Sequence, residues 1–143
     1  MPLFNELKLH KVLGCGKTRS VWLTSDKNAL KLSHIFHNGT TNRMEWAIWH
    51  HAEPELKKIL VPPISIHENG IYMVVTLGEP IKRNEVPKIF PSFITDPKSS
   101  NWVRVGNKIL LADYAQGGIV THLGLDSKKL HDETIPVEEL CRK

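Results

Sequence analysis

Three tight turns constrain this chain more than any other feature. Ser25-Asp26-Lys27-Asn28, Glu68-Asn69-Gly70 and Gly106-Asn107 each lie between short apolar or β-branched runs. The flanking runs are "SVWLT" and "ALKLSHI", then Ile64 to His67 and Ile71 to Leu77, then Trp102-Val103 and Ile109-Leu110-Leu111. Turn clusters bounded by strand-forming runs read as antiparallel hairpins. A helix is also present in "RMEWAIWHHA", where Met44, Ala47, Ile48 and Ala52 recur at helical spacing and predict a helix from about Thr41 to His51. Pro54 opens a further short helix, because proline is tolerated in a first turn and not in an interior. Antiparallel hairpins with a helix between them make the fold class α+β.

The rest of the chain is less regular. Leu7 to Leu13 predicts a short mixed strand, interrupted at Gly14-Cys15-Gly16. After Gly78 the stretch "EPIKRNEVPKIFPSF" carries three prolines and no persistent periodicity, which reads as a connector. The end is a tail with Gly117-Gly118 and a short helix near Pro136 to Cys141. With 143 residues there is room for one compact domain, divided in texture into residues 1–78 and 79–143. The net charge of +4 favours anionic ligands such as nucleotides. The cations are scattered rather than striped, which argues against nucleic acid as the main partner. Two cysteines, Cys15 and Cys141, make no disulfide framework, and no leader or long apolar run stands in the sequence. The expectation is a cytoplasmic protein with no membrane partner.

The chemistry gathers at one hairpin. "DPKSSNWVRVGNKILLAD" puts Asp96, Lys98 and Asn101 before the hairpin and Asp113 after it. Turn chemistry explains Asp-Pro and Ser-Asn on their own. Two carboxylates, an amide and an ammonium at the mouths of one hairpin describe a place where a metal and a phosphate are handled. Lys31 adds a second signal, an ammonium in the apolar run "ALKL". An edge-strand lysine would point to solvent, whereas an inward one needs a partner, since burying it alone is costly. The four tryptophans, Trp22, Trp46, Trp49 and Trp102, read as core, and the histidines as surface, because no two show a convincing ligand spacing.

In order along the chain, these motifs resemble the protein-kinase fold. "VLGCGKTRSVW" followed by "ALKL" looks like the glycine-rich loop and the lysine strand, and "RMEWAIWHHA" stands where the helix with the partner glutamate would be. "IYMVVTLGEP" is similar to the strand and hinge that bind adenine, with Thr76 and Leu77 at the hinge. "TDPKSSNWVRVGNKILLADYA" resembles the catalytic loop D-x-K-x-x-N and the metal-binding D-F-G segment. The nearest analogues are the very small kinase-like proteins of enteric bacteria and their phages, so the resemblance implies a bacterial cytoplasm.

The resemblance implies a nucleotide lobe, an antiparallel sheet with one helix, and a drastically shortened second lobe. It implies ATP and Mg2+ as cofactors. Gly14 and Gly16 would admit phosphate oxygens close to the backbone. Val21 would cover the adenine ring. Lys31 would grip the phosphates, oriented by an ion pair with Glu45. Asp96 would serve as catalytic base and Lys98 would stabilise the transferring phosphoryl group. Asn101 and Asp113 would ligate magnesium.

Departures from the family pattern are also plain. Arg19 replaces the third glycine, which stiffens the loop tip or brings a guanidinium near phosphate. Ile94-Thr95 replace the usual His-Arg, so no arginine reads activation-loop phosphorylation. Tyr114 and Ala115 replace Phe and Gly. Only 28 residues follow Ala115, too few for the large helical lobe that docks protein substrates. Three functions compete: a miniature protein kinase acting on Ser, Thr or Tyr hydroxyls, a kinase-like binding module, and a small-molecule kinase, disfavoured for want of a capacious second lobe. Both faces of the hairpin carry apolar residues, so the expectation is a homodimer or a stable protein partner that covers the face left open.

Overall fold

The computed structural model describes residues 9–126. The first two turns close hairpins of one five-stranded antiparallel sheet. Its strands are β1 (Leu9–Cys15), β2 (Arg19–Thr24), β3 (Ala29–Ser33), β4 (Pro63–Ile66) and β5 (Tyr72–Val75), in the order β1-β2-β3-β5-β4. The fold is therefore α+β with antiparallel pairing. Strand β3 is central, with Lys31 opposite Val21 on one side and Met73 on the other. An edge position for Lys31 is thereby excluded.

Strand β1 does not break at its glycine. Two irregularities of register, between Leu9 and Lys11 and between Val12 and Gly14, let it continue to Cys15, with Gly14 opposite Val21. A bulge of this kind absorbs the extra residue and keeps the ladder paired. The chain then turns at Gly16, whose N–H donates to the Arg19 carbonyl at 2.9 Å. Arg19 consequently begins strand β2 rather than sitting at a loop tip.

Helix α1 (Thr40–His51) crosses from β3 to the side of the sheet facing the second half of the chain, and the four-residue α2 (Pro54–Lys57) follows with Pro54 in its first turn. The entry to α1 is fixed at Gly39, whose φ is 75° and where a Cβ would stand 2.5 Å from the Gly70 carbonyl carbon. Only glycine fits a left-handed backbone pressed so close to another chain segment. Asn42 ties the same corner together by donating to the carbonyls of Lys31 at 3.0 Å and Gly70 at 2.9 Å. These contacts set the direction in which α1 presents Glu45.

A second, three-stranded sheet contains β6 (Glu79–Pro80), β7 (Trp102–Val105) and β8 (Lys108–Leu111). The first strand of this sheet begins at Glu79, directly after Gly78. Strand β8 is stitched to the first half, for Leu111 donates its N–H to Ile59 at 2.7 Å and accepts from Val61 at 2.9 Å. The connector is irregular as expected, with one 3-10 turn at Arg83–Glu85.

The tail contains an element the sequence did not announce, helix α3 (Gly117–Leu123), while the helix expected near Pro136 lies outside the described residues. Its Ile119, Val120 and Leu123 join Ile48, Leu56, Leu60, Trp102, Leu111 and Tyr114 in one core, with Phe90 and Phe93 of the connector packed on it. On the other hairpin face, Leu110 and Val103 pack with Ala29, Val75 and Leu77. Both apolar faces of the hairpin are thus packed against this chain's own residues. Large apolar residues still exposed include Leu9, Val12 and Leu13 of β1, together with the isolated Phe36 and Ile89. No helix among the described residues is long and apolar enough to cross a membrane.

Ile119 is completely buried between α3 and the hairpin. Ile119→Ala is expected to cost about 2–5 kcal/mol in urea unfolding, through lost transfer energy and the cavity left behind. A loss below about 0.5 kcal/mol, the usual range of surface substitutions, would mean that α3 does not close the core.

Candidate functional site

Four charged side chains meet where the central sheet strand, helix α1 and the end of β8 converge. Glu45 is at the centre, fully buried. Its Oε1 accepts from Lys31 Nζ at 2.8 Å and from an Arg19 terminal nitrogen at 2.9 Å. Its Oε2 accepts from the other Arg19 terminal nitrogen at 2.5 Å and from the Tyr114 backbone N–H at 3.0 Å. The expected pair of Lys31 and Glu45 is therefore present.

Asp113 completes the group from the mouth of the hairpin. Its Oδ1 accepts from Arg19 at 2.9 Å and stands 3.6 Å from Lys31 Nζ, while its side chain remains 43% exposed. Lys31 also donates to the Ala112 carbonyl at 2.6 Å. Arg19 gains a further partner in Asn42 Oδ1 at 2.8 Å. Two cations and two carboxylates are thus interlocked, three of the four buried.

Burial by itself would raise the Glu45 pKa, but Arg19 and then Lys31 outweigh it and hold the carboxyl at about 2. Burial opposes the charge of Arg19, and Glu45 and then Asp113 more than restore it, so that its pKa is raised. The Tyr114 phenol is pushed well above its ordinary value by burial and then by Glu45, and it serves as a neutral donor to the Val61 carbonyl at 3.0 Å.

The segment before the hairpin is held from three sides. Asn101 Nδ2 donates to the Asp96 carbonyl at 2.9 Å, and the Trp102 indole N–H donates to the Pro97 carbonyl at 3.1 Å. The third hold is Gln116, which the sequence did not signal. Its Oε1 accepts from the backbone N–H groups of Thr95 at 3.1 Å and Asp96 at 3.0 Å. Its Nε2 donates to the carbonyls of Asp96 at 3.1 Å and Asp113 at 2.9 Å. One buried amide thus joins the two mouths of the hairpin. Gly118 lets α3 come this close, since a Cβ there would stand 2.3 Å from the Phe93 carbonyl oxygen.

With its backbone fixed, the Asp96 side chain is free to face solvent, 53% exposed, with Lys98 Nζ 3.7 Å from its Oδ2. Asn101 is buried next to Asp113, its carbonyl accepting from the backbone N–H groups of Ala112 at 2.7 Å and Asp113 at 3.3 Å. Lys31, Glu45, Arg19 and Asp113 are in direct contact, and Asp96, Lys98 and Asn101 are tied to them through Gln116 and the backbone.

The remaining candidates lie on the flanking strands. Gly14 and Gly16 are exposed on β1 and its turn; a Cβ on Gly14 would meet no atom within 4 Å, and one on Gly16 only the Arg19 carbonyl at 3.8 Å. Neither glycine is demanded by packing, and the space beside both is open. Val21 and Leu77 are partly exposed members of the apolar cluster around Ala29 and Leu110. Thr76 commits both its N–H and its hydroxyl to the Pro62 carbonyl, each at 3.2 Å.

Arg19 departs most from expectation, because its guanidinium is engaged with carboxylates rather than presented at a loop tip. No group of three or more His, Cys, Asp or Glu that would hold a metal occurs among the described residues. The oxygen donors that fit a hard cation are Asp113 and Asn101, and such an ion takes its other ligands from water and phosphate. At Asp113 only Oδ2 is without a partner among the described residues. Neither known protein families nor curated proteins give a match to this sequence.

The folded pKa of Glu45 lies below its unfolded value of 4.5, so its contribution to stability is complete above about pH 4.5 and is lost as the pH falls towards about 2. Denaturant unfolding from pH 7 to pH 2 should show this loss in the native chain. Glu45→Gln should flatten that part of the acid limb and cost about 3–5 kcal/mol at neutral pH, because two buried cations lose a counter-charge. Equal acid limbs in both proteins would count against the quartet.

Gln116→Ala should release the hairpin mouth without unfolding the chain. Amide hydrogen exchange at Thr95 and Asp96 is expected to speed up by about tenfold or more, the loss of roughly one net hydrogen bond at each. Unchanged exchange at both amides would show that the clamp is dispensable.

Proposed function

We propose that this protein is a miniature kinase-like phosphotransferase that uses ATP and magnesium and acts on a protein hydroxyl, with Ser or Thr favoured over Tyr. The observation that carries this reading is the buried Lys31–Glu45 pair with Asp113 beside it and Asp96 held at the same hairpin mouth. A protein that only packs has no physical need for this arrangement, since apolar residues of similar volume would serve stability as well or better.

The residues divide the work as follows. Glu45 holds the Lys31 amine in place at 2.8 Å, so that it meets the inner phosphates without a search through rotamers. The open space beside Gly14 and Gly16 lets phosphate oxygens come close to the backbone of this turn. Val21 and Leu77 offer apolar surface to the adenine ring. Asp113 and Asn101 would hold the magnesium ion, which supplies charge stabilisation for phosphate oxygens. Asp96 orients the incoming hydroxyl and accepts its proton, and Lys98 lies close enough to offset negative charge on the transferring group.

One observation favours a second reading, a kinase-like binding module that works through a protein partner. Arg19 occupies the Asp113 oxygen nearest Lys31. Incubation with γ-labelled ATP, magnesium and a bacterial lysate, together with calorimetry, separates the two. The phosphotransferase reading expects nucleotide binding and label transfer, with Asp96→Ala lowering transfer by about 100-fold or more while nucleotide still binds. Binding without transfer would leave the module, and no heat or thermal shift at millimolar ATP would remove the nucleotide from both readings.

A further inference from the structure

The charge count of the quartet has a consequence for metal. Arg19 and Lys31 contribute two positive charges, and Glu45 and Asp113 two negative ones, all linked by contacts of 2.5 to 3.6 Å. The group is neutral before any cation arrives. One Arg19 nitrogen bridges the two carboxylates, 2.5 Å from Glu45 Oε2 and 2.9 Å from Asp113 Oδ1. A second cation bound at Asp113 must face this guanidinium directly.

The guanidinium is not a loosely placed surface group. Arg19 is 6% exposed, and its other terminal nitrogen is fixed by Asn42 Oδ1 at 2.8 Å and Glu45 Oε1 at 2.9 Å. Arginine keeps its charge at any ordinary pH, and its planar fork is suited to holding two carboxylates at once. Asp113, by contrast, is half open to solvent and could meet an ion from that side.

We infer that Arg19 is a built-in cation that competes with divalent metal for Asp113 and sets the metal affinity of the site. Without nucleotide, the protein binds a divalent ion weakly, and metal enters together with phosphates that bring negative charge of their own. Replacing Arg19 by an uncharged residue leaves Lys31, Glu45 and Asp113 with a net charge of −1, which attracts the ion. The inference deepens the phosphotransferase reading and rests on it for the role of Asp113, while its metal titration stands without nucleotide.

The test is Mn2+ titration of the nucleotide-free protein, followed by calorimetry and by the paramagnetic signal of free Mn2+. The native chain should bind with a dissociation constant of about 1 mM or weaker, the range of carboxylate sites that lack a full oxygen cage. Arg19→Met keeps the apolar stem and removes the charge, and it should tighten Mn2+ binding by about tenfold or more. Adding Asp113→Asn to that variant should abolish the gain. Arg19→Lys, which retains the charge without the fork, should gain less than Arg19→Met, and the uncharged Arg19→Gln serves as the measure if the methionine variant does not fold. Native binding at micromolar Mn2+, or no gain in a folded Arg19→Met, or no gain in Arg19→Gln when it alone folds, would overturn the proposal. ADP titration of the same proteins, with and without Mn2+, separates the two ideas: absence of ADP binding defeats the phosphotransferase reading and leaves the Mn2+ result to decide the role of Arg19.

Discussion

Everything at this site depends on one buried carboxylate. Glu45 accepts four hydrogen bonds and neutralises charge on Arg19 and Lys31, neither of which could be buried alone. Its bond to the Tyr114 backbone also fixes the chain just beyond Asp113. Helix α1, sheet strands β2 and β3, and the end of the hairpin are therefore joined by a single side chain. Breaking such a centre costs far more than an exposed ion pair would, because the partners stay buried when their counter-charge leaves.

The sequence made the local structure legible and left the long-range structure hidden. Turn residues lie next to the strands they join, so the hairpins at Asp26, Asn69 and Gly106 could be read directly, and the helix around Glu45 showed its period. The pairing of Lys31 with Glu45 was readable because a lysine in an apolar strand needs a partner, and the resemblance to the kinase fold pointed to Glu45, the one acid on the predicted helix. Arg19 was not readable in this way. Its position in a glycine-rich stretch pointed to a loop, whereas a buried strand start follows from partners on α1 and at Asp113. Helix α3 begins with Gly117-Gly118, poor helix formers, and is held by the packing of Ile119, Val120 and Leu123. Gln116 has no signature at all, since any amide can bond to backbone and only the fold decides which does.

The second half of the described residues supports the Asp96 segment without a long helix. A long helical brace beneath the Asp96 segment is ruled out by the prolines of the connector. Three side chains do that work instead, with Gln116, Asn101 and Trp102 each bonded to the backbone between Thr95 and Pro97. Backbone anchoring by buried amides and an indole leaves the Asp96 carboxylate itself unencumbered by the brace. The same economy explains the close approach at Gly118, where any larger residue would push α3 off the segment it supports.

The contacts made by Glu45 and Arg19 differ widely in the length of chain they close. Lys31 is 14 residues from Glu45 and Arg19 is 26, so both can be gathered by short loops within the first half of the chain. The bond to Tyr114 spans 69 residues and the one from Arg19 to Asp113 spans 94. Longer closures cost more chain entropy. Any state with the first half formed and the hairpin end absent would hold two cations against one carboxylate, an excess of positive charge that Asp113 cancels. Asp113 is in this sense the residue from the far half of the chain that leaves the interior without a net charge.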